Sequence, residues 1–166
     1  MKLLLFLLCL SANLHAQQSS SRAYDAMLRT MLSFSVPTIT CSELQMALKN
    51  GNITLLDARE PKEFAISHIS GAQNVGFQYF NVKNLKKIDK NATIVVYCSV
   101  GYRSEKVGEK LLKAGFKNVK NLYGSIFEWS NLGLPLVDTQ GKPTEKVHAY
   151  DKVWGVWLRK GSPVFQ

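Results

Sequence analysis

The chain has 166 residues, 46% of them apolar and 20% charged, with a formal net charge of +9. That length suits one domain with a real core, and the composition excludes a fibrous or disordered chain. The basic residues form no stripe interleaved with aromatics, so small anions are better expected partners than nucleic acid.

Lys2 precedes an apolar run, Leu3 to Leu10, which gives way to Ser11-Ala12-Asn13-Leu14-His15-Ala16. A positive start, a short greasy run and a small final residue predict a signal peptide over residues 1–16 and an exported protein, periplasmic or secreted. The run is well short of the about 20 residues a spanning helix needs; a retained anchor is the alternative. Residues 17–35 read as an N-terminal extension: polar at first, then Ala23, Met27, Leu28, Met31 and Leu32 at the spacing of a short amphipathic helix.

From Val36 strand and helix signals alternate. Val36 to Ile39 predicts a short strand. Thr40-Cys41-Ser42-Glu43 predicts a capping box, followed by a helix through Leu48 that stops at Gly51. Ile53 to Asp57 predicts a buried strand. Pro61 opens the next helix, with Phe64 and Ile66 expected to face the core. Ala72 to Val75 predicts a strand, and Phe77 to Ile88 a looser, lysine-rich helical stretch. Thr93 to Tyr97 is apolar and β-branched on both faces, as a central parallel strand is. A helix beginning near Ser104 and running to Ala114 turns Val107, Leu111 and Leu112 inward and ends at Gly115. Val119 to Tyr123 predicts the last strand, and Gly124 to Leu132 a closing helix. This alternation predicts an α/β domain over residues 36–137: a three-layer, doubly wound, mainly parallel sheet.

Residues 138–166 form a tail. After a turn-rich connector, Val147, Tyr150, Val153, Trp154, Trp157 and Leu158 fall at helix-like spacing among basic residues. A basic amphipathic segment can contact a membrane surface, but docking on the domain itself is the expectation.

The chemistry concentrates in Cys98-Ser99-Val100-Gly101-Tyr102-Arg103, directly after the Thr93–Tyr97 run. A cysteine at the carboxyl end of a buried strand, in a tight loop that opens a helix, sits where a parallel sheet places ligands. Helix-terminal amides and an arginine lower a thiol pKa and favour the thiolate. Gly101 permits the positive φ that turns consecutive amides inward as an anion nest, and Ser104 is expected to cap the helix.

With those residues in view, the segments LLDAREPKEFAISHISGAQNV, CSVGYRS and NLYGSIFEWSNLGLPLV resemble a single-domain rhodanese, of the sulfurtransferase family. The resemblance runs from Val36 to Val137 in the family's order and spacing. It implies a sulfurtransferase (thiosulfate sulfurtransferase-like) that takes a sulfane sulfur from a donor such as thiosulfate and passes it, as a cysteine persulfide, to cyanide or a thiol. It implies that Cys98 is the nucleophile, and that backbone amides from Ser99 through Arg103 hold the persulfide. It assigns Arg103 to charge stabilisation and Val100 and Tyr102 to a substrate-filtering rim. Asp57 and Arg59 match the family's Asp-x-Arg and are expected to be supporting, with Arg59 pairing Glu63. His68 matches a His-Ile-x-Gly-Ala turn and is expected to pack. Ser99 stands where thiosulfate-using members often carry a basic residue.

Other readings stay open at this level. A sulfur-relay or partner-binding module without small-molecule turnover would keep the same loop. A cysteine-dependent phosphatase or arsenate reductase is less favoured, because related phosphatases place one more residue between cysteine and arginine. A thiol-disulfide enzyme would need Cys41 as resolving thiol, and in an exported chain Cys41 and Cys98 could form a disulfide. Sequons stand at Asn52 and Asn91. No cofactor is expected and no metal, since His68 and His148 lack partners at ligand spacing.

Overall fold

The structure, a computed structural model, describes residues 19–51 and 53–165. The predicted leader and the Asn52 sequon lie outside the described residues. Helix α1 (Arg22–Met31) is capped by Ser21 and precedes the sheet. The sheet strands are β1 (Thr38–Ile39), β2 (Thr54–Asp57), β3 (Gln73–Asn74), β4 (Thr93–Tyr97) and β5 (Asn118–Leu122). Their spatial order is β1-β5-β4-β2-β3 and every pairing is parallel. This is the predicted α/β architecture, with β4 at the centre.

The layers follow from the period of two along each strand. Leu55, Val95, Tyr97 and Leu122 face one side, where they pack with Tyr24 and Leu28 of α1, Leu44 of α2 (Cys41–Lys49) and Phe127 of α5 (Ser125–Asn131). Leu56, Ile94, Val96 and Cys98 face the other, against Val107 and Leu111 of α4 (Tyr102–Lys113) and Leu85. The capping box of α2 forms as expected: Thr40 Oγ1 accepts from the Glu43 amide at 3.2 Å, and Glu43 Oε2 accepts from the Thr40 amide at 2.8 Å. Gly108 in α4 lets that helix approach Val36, whose Cγ2 lies 3.0 Å from where a Cβ would be.

Four local expectations are corrected. In α3 (Pro61–Ile66) the side chain turned fully inward is Glu63, while Phe64 and Ile66 are half-buried. The Phe77–Ile88 stretch forms only a 3₁₀ turn over Val82–Leu85, capped by Asn81. Helix α4 starts at Tyr102, with Gly101 at its N-cap position, so Ser104 sits inside the first turn and is not the cap. Val119–Tyr123 is the last strand of the main sheet but not of the chain.

The helix-like spacing of the tail does not become one continuous helix. β6 (Leu136–Val137) and β7 (Pro143–Thr144) make a small antiparallel hairpin. β8 (Lys146–His148) pairs in parallel with β9 (Ser162–Val164), and the crossover between them holds a single helical turn, α6 (Lys152–Gly155), capped by Asp151. A parallel pair needs a long crossover, and this one consumes the residues that a continuous helix would use. Gly155 ends the turn where a Cβ would stand 3.0 Å from the Phe165 ring. The tail docks on the domain as expected: Val147, Ala149 and Leu158 join the core beside α1 and α5. Asn131 at the end of α5 pins it, donating to Trp157 O at 2.9 Å and accepting from the Arg159 amide at 2.7 Å.

Candidate active site

Cys98 follows the carboxyl end of β4, and its loop is held between the N-termini of two helices. Its amide donates to Ser125 Oγ at 3.1 Å, and its carbonyl accepts from the Ile126 amide at 3.2 Å. Gly124 and Ser125, at φ 70 and 53, make the sharp entry into α5 that brings these groups to the loop. Gly101, at φ 125, turns its amide back onto Cys98 Sγ at 3.2 Å, as the nest requires.

Ser104 Oγ lies 3.5 Å from Cys98 Sγ and donates to Asn121 Oδ1 at 2.7 Å. Asn121, buried on β5, also donates to Gly101 O at 3.0 Å and so steadies the loop. Burial raises the Cys98 thiol pKa, but the Arg103 charge, the Ser104 hydroxyl and the amides of Ser104 and Gly101 outweigh it, leaving the pKa below the ordinary thiol value. Cys41 contrasts with it: burial, then Glu128, push that thiol well up, so it is an inert packing residue. Both cysteines are free thiols and no disulfide joins them.

Arg103 is not a lone charge. Its guanidinium makes a two-pronged pair with Glu63, Nη1 to Oε2 at 2.6 Å and Nη2 to Oε1 at 2.7 Å. Nη2 also donates to Ser99 Oγ at 2.9 Å, so the Ser99 hydroxyl faces this pair. Burial raises the Glu63 pKa, yet the Arg103 contacts prevail and hold it below the usual carboxylate value. Arg59, expected to pair with Glu63, instead forks onto Asp57, with Nη2 to Oδ2 at 2.6 Å, and donates to Ser67 O at 2.6 Å. Arg59 and Asp57 are wholly buried. The reason for the pairing is local: Asp57 ends β2 and also accepts the Arg59 amide at 2.8 Å, leaving Glu63 to face across to α4. His68 stacks on Phe64 with ring centroids 3.8 Å apart, the packing role anticipated.

Only 1% of Cys98 is exposed, yet it forms part of the floor of a pocket of about 690 Å³. Val100, Tyr102 and Arg103 line its wall. Sequence reasoning missed the rest of the wall: Met31 from α1, Glu60, Phe77 and Gln78, and Tyr150 and Trp154 from the tail. It also missed Asn121 and Ser125, and it paired Glu63 with Arg59 instead of Arg103. Only Glu63 left a sequence signal, because Glu60 and Glu63 form a second capping box at the start of α3. Among the described residues, no group of three or more His, Cys, Asp or Glu side chains could hold a metal.

The fold and loop define a class: parallel α/β domains that hold a cysteine of lowered pKa at a strand end, under helix N-termini. Residues 40–132 match the model of the Rhodanese-like domain, and the chain belongs to that family. It is 32% identical over 90 residues to a "Sulfurtransferase" of Allochromatium vinosum, covering 54% of this chain and 83% of that one. It is 38% identical over 95 residues to the "Probable adenylyltransferase/sulfurtransferase MoeZ" of Mycobacterium tuberculosis, covering 56% of this chain. There it spans only 24% of the relative's length. Among solved structures, the rhodanese-like domain of the Anabaena protein Alr3790 superposes with a TM-score of 0.57 at 25% identity, covering 61% of this chain and 79% of that one. The relatives support a sulfurtransferase-like enzyme.

Proposed function

We propose that the chain carries a sulfane sulfur as a persulfide on Cys98. The observation that supports this best is the Gly101 amide directed at Cys98 Sγ at 3.2 Å on the floor of an open pocket. The Cys98 thiolate attacks the outer sulfur of a donor of the thiosulfate type. The donor's S–S bond breaks, and the remaining fragment, sulfite in the case of thiosulfate, leaves with the bonding pair. The persulfide anion stays beside the amides of Gly101 and Ser104 and the Arg103 charge. A thiolate or cyanide then attacks its terminal sulfur, forming an acceptor persulfide or thiocyanate and returning Cys98 as a thiolate.

Each residue has a place in that cycle. Cys98 is the nucleophile. Arg103, oriented by Glu63 and Ser99, offsets the anion. Val100 and Tyr102 limit what reaches the sulfur, and Asp57 with Arg59 keeps the strand end rigid.

Incubation with a sulfane-sulfur donor is expected to add one sulfur atom by intact mass, removable by cyanide. Cys98→Ser is expected to abolish the gain and Cys41→Ser to leave it intact. Loss of the gain in Cys41→Ser alone would overturn the assignment.

A further inference from the structure

Three features of the pocket are not needed to hold one sulfur atom. Its volume of about 690 Å³ is that of a site for an organic molecule, and a small inorganic anion would leave most of it filled with water. Its walls carry the apolar side chains Met31, Phe77, Val100, Tyr102, Tyr150 and Trp154. The charge balance is also unsuited to a dianion. Arg103 and Glu60 are the charged wall residues, and Arg103 is matched by the buried Glu63. The three groups together carry one net negative charge.

The outer wall is also built in advance. Tyr150 holds φ 65, in the left-handed region, with its amide donating at 3.1 Å to Nδ1 of His148, which is buried on β8. That conformation carries the ring over Arg103, with Cζ 5.8 Å from its centroid. Trp154 stands in α6, and the following residues are fastened to Asn131 and by stacking of Trp157 on Tyr24 at 5.6 Å. A wall ordered before binding costs little further entropy when a ligand arrives. Met31, Tyr150 and Trp154 all lie outside the residues that match the family model.

We infer that the sulfur substrate carries an apolar organic body, aryl or alkyl, and that Tyr150 and Trp154 hold that body while Cys98 takes the sulfur. This rests on the persulfide reading above. A thiosulfonate, R–SO₂–S⁻, is the simplest donor of this class. The Cys98 thiolate attacks its outer sulfur, the S–S bond breaks, and the sulfinate R–SO₂⁻ leaves with the bonding pair.

Benzenethiosulfonate and methanethiosulfonate share this chemistry and differ only in the body. The kcat/KM for persulfide formation is expected to be at least about tenfold higher for benzenethiosulfonate, equivalent to about 1.4 kcal/mol. Thiosulfate is expected to be the weakest of the three. Tyr150→Gly and Trp154→Ala are each expected to bring the benzene-to-methane ratio toward one. Tyr150→Gly suits the left-handed backbone, so it keeps a folded protein in hand if Trp154→Ala unfolds the tail. A ratio near one in the unmodified protein, or a ratio that neither variant moves, would overturn the inference.

A second measurement separates the two readings. Calorimetric titration of Cys98→Ser is expected to show benzenesulfinate binding at least about tenfold more tightly than methanesulfinate. Selective binding with no donor able to load Cys98 would overturn the persulfide reading and leave the pocket's preference standing. Equal binding of the two sulfinates would overturn the preference itself.

Discussion

Arg103→Met is expected to slow sulfur uptake at Cys98 by about two orders of magnitude at pH 7. Burial alone would leave this thiol protonated, and the Arg103 charge is the largest influence opposing it. A nearby opposite charge holds a thiol pKa down, so its removal lowers the thiolate fraction at neutral pH. The sign is checked by the pH dependence of alkylation with iodoacetamide. In the unmodified protein, reactivity is expected to persist below the ordinary thiol value of about 8.5 and to fall only through a lower pH. In Arg103→Met the same curve is expected to shift upward, above that value.

Folding stability follows the same linkage. The folded-state pKa of Cys98 is depressed, so the stability contributed by the ionised thiol is complete above the unfolded value. It is lost as pH falls through the folded one. Removing Arg103 also strands the buried Glu63 carboxylate, so Arg103→Met/Glu63→Gln is the companion that remains folded. Unchanged alkylation curves in both variants would show that Arg103 does not ionise Cys98.

Asp57→Ala is expected to destabilise the protein by about 3–5 kcal/mol, the usual cost of stranding one half of a buried ion pair. Both partners are completely buried, and Arg59 Nη1 already lacks a hydrogen-bond partner. Against a typical total of about 5–15 kcal/mol, that loss lowers the melting temperature by on the order of 10 °C. The double variant Asp57→Leu/Arg59→Met, which leaves no charge in the core, is expected to recover most of it. Thermal unfolding of Asp57→Leu, Arg59→Met and the double supplies the cycle. Losses that simply add would show that the pair is not coupled.

The Arg59 pairing illustrates how far local reasoning reaches. Asp57 and Arg59 were legible only through the Asp-x-Arg resemblance, as supporting residues and not as a pair with each other. The expectation that Arg59 would reach Glu63 failed for a geometric reason: the nearer carboxylate accepts both its amide and its guanidinium. Glu63 was thereby left for Arg103, which lies 40 residues further along the chain.

What the sequence determined alone was whatever depends on near neighbours. The Thr40–Glu43 capping box, the β-branched run of β4, the positive φ at Gly101 and the cysteine placed between strand and helix each draw on a few consecutive residues. They suffice for a parallel α/β sheet with a cysteine at the end of its central strand. The tertiary structure decided the surroundings of that cysteine. Helical spacing in the tail was overridden because a short isolated helix is marginal, while the observed path buries Val147 and Ala149 in the core and pairs β8 with β9. Only that crossover brings Tyr150 and Trp154 to the pocket, and only the tertiary placement of α3 sets Glu63 opposite Arg103. Both are contacts between distant segments, set by how the layers stack, and no local pattern encodes them.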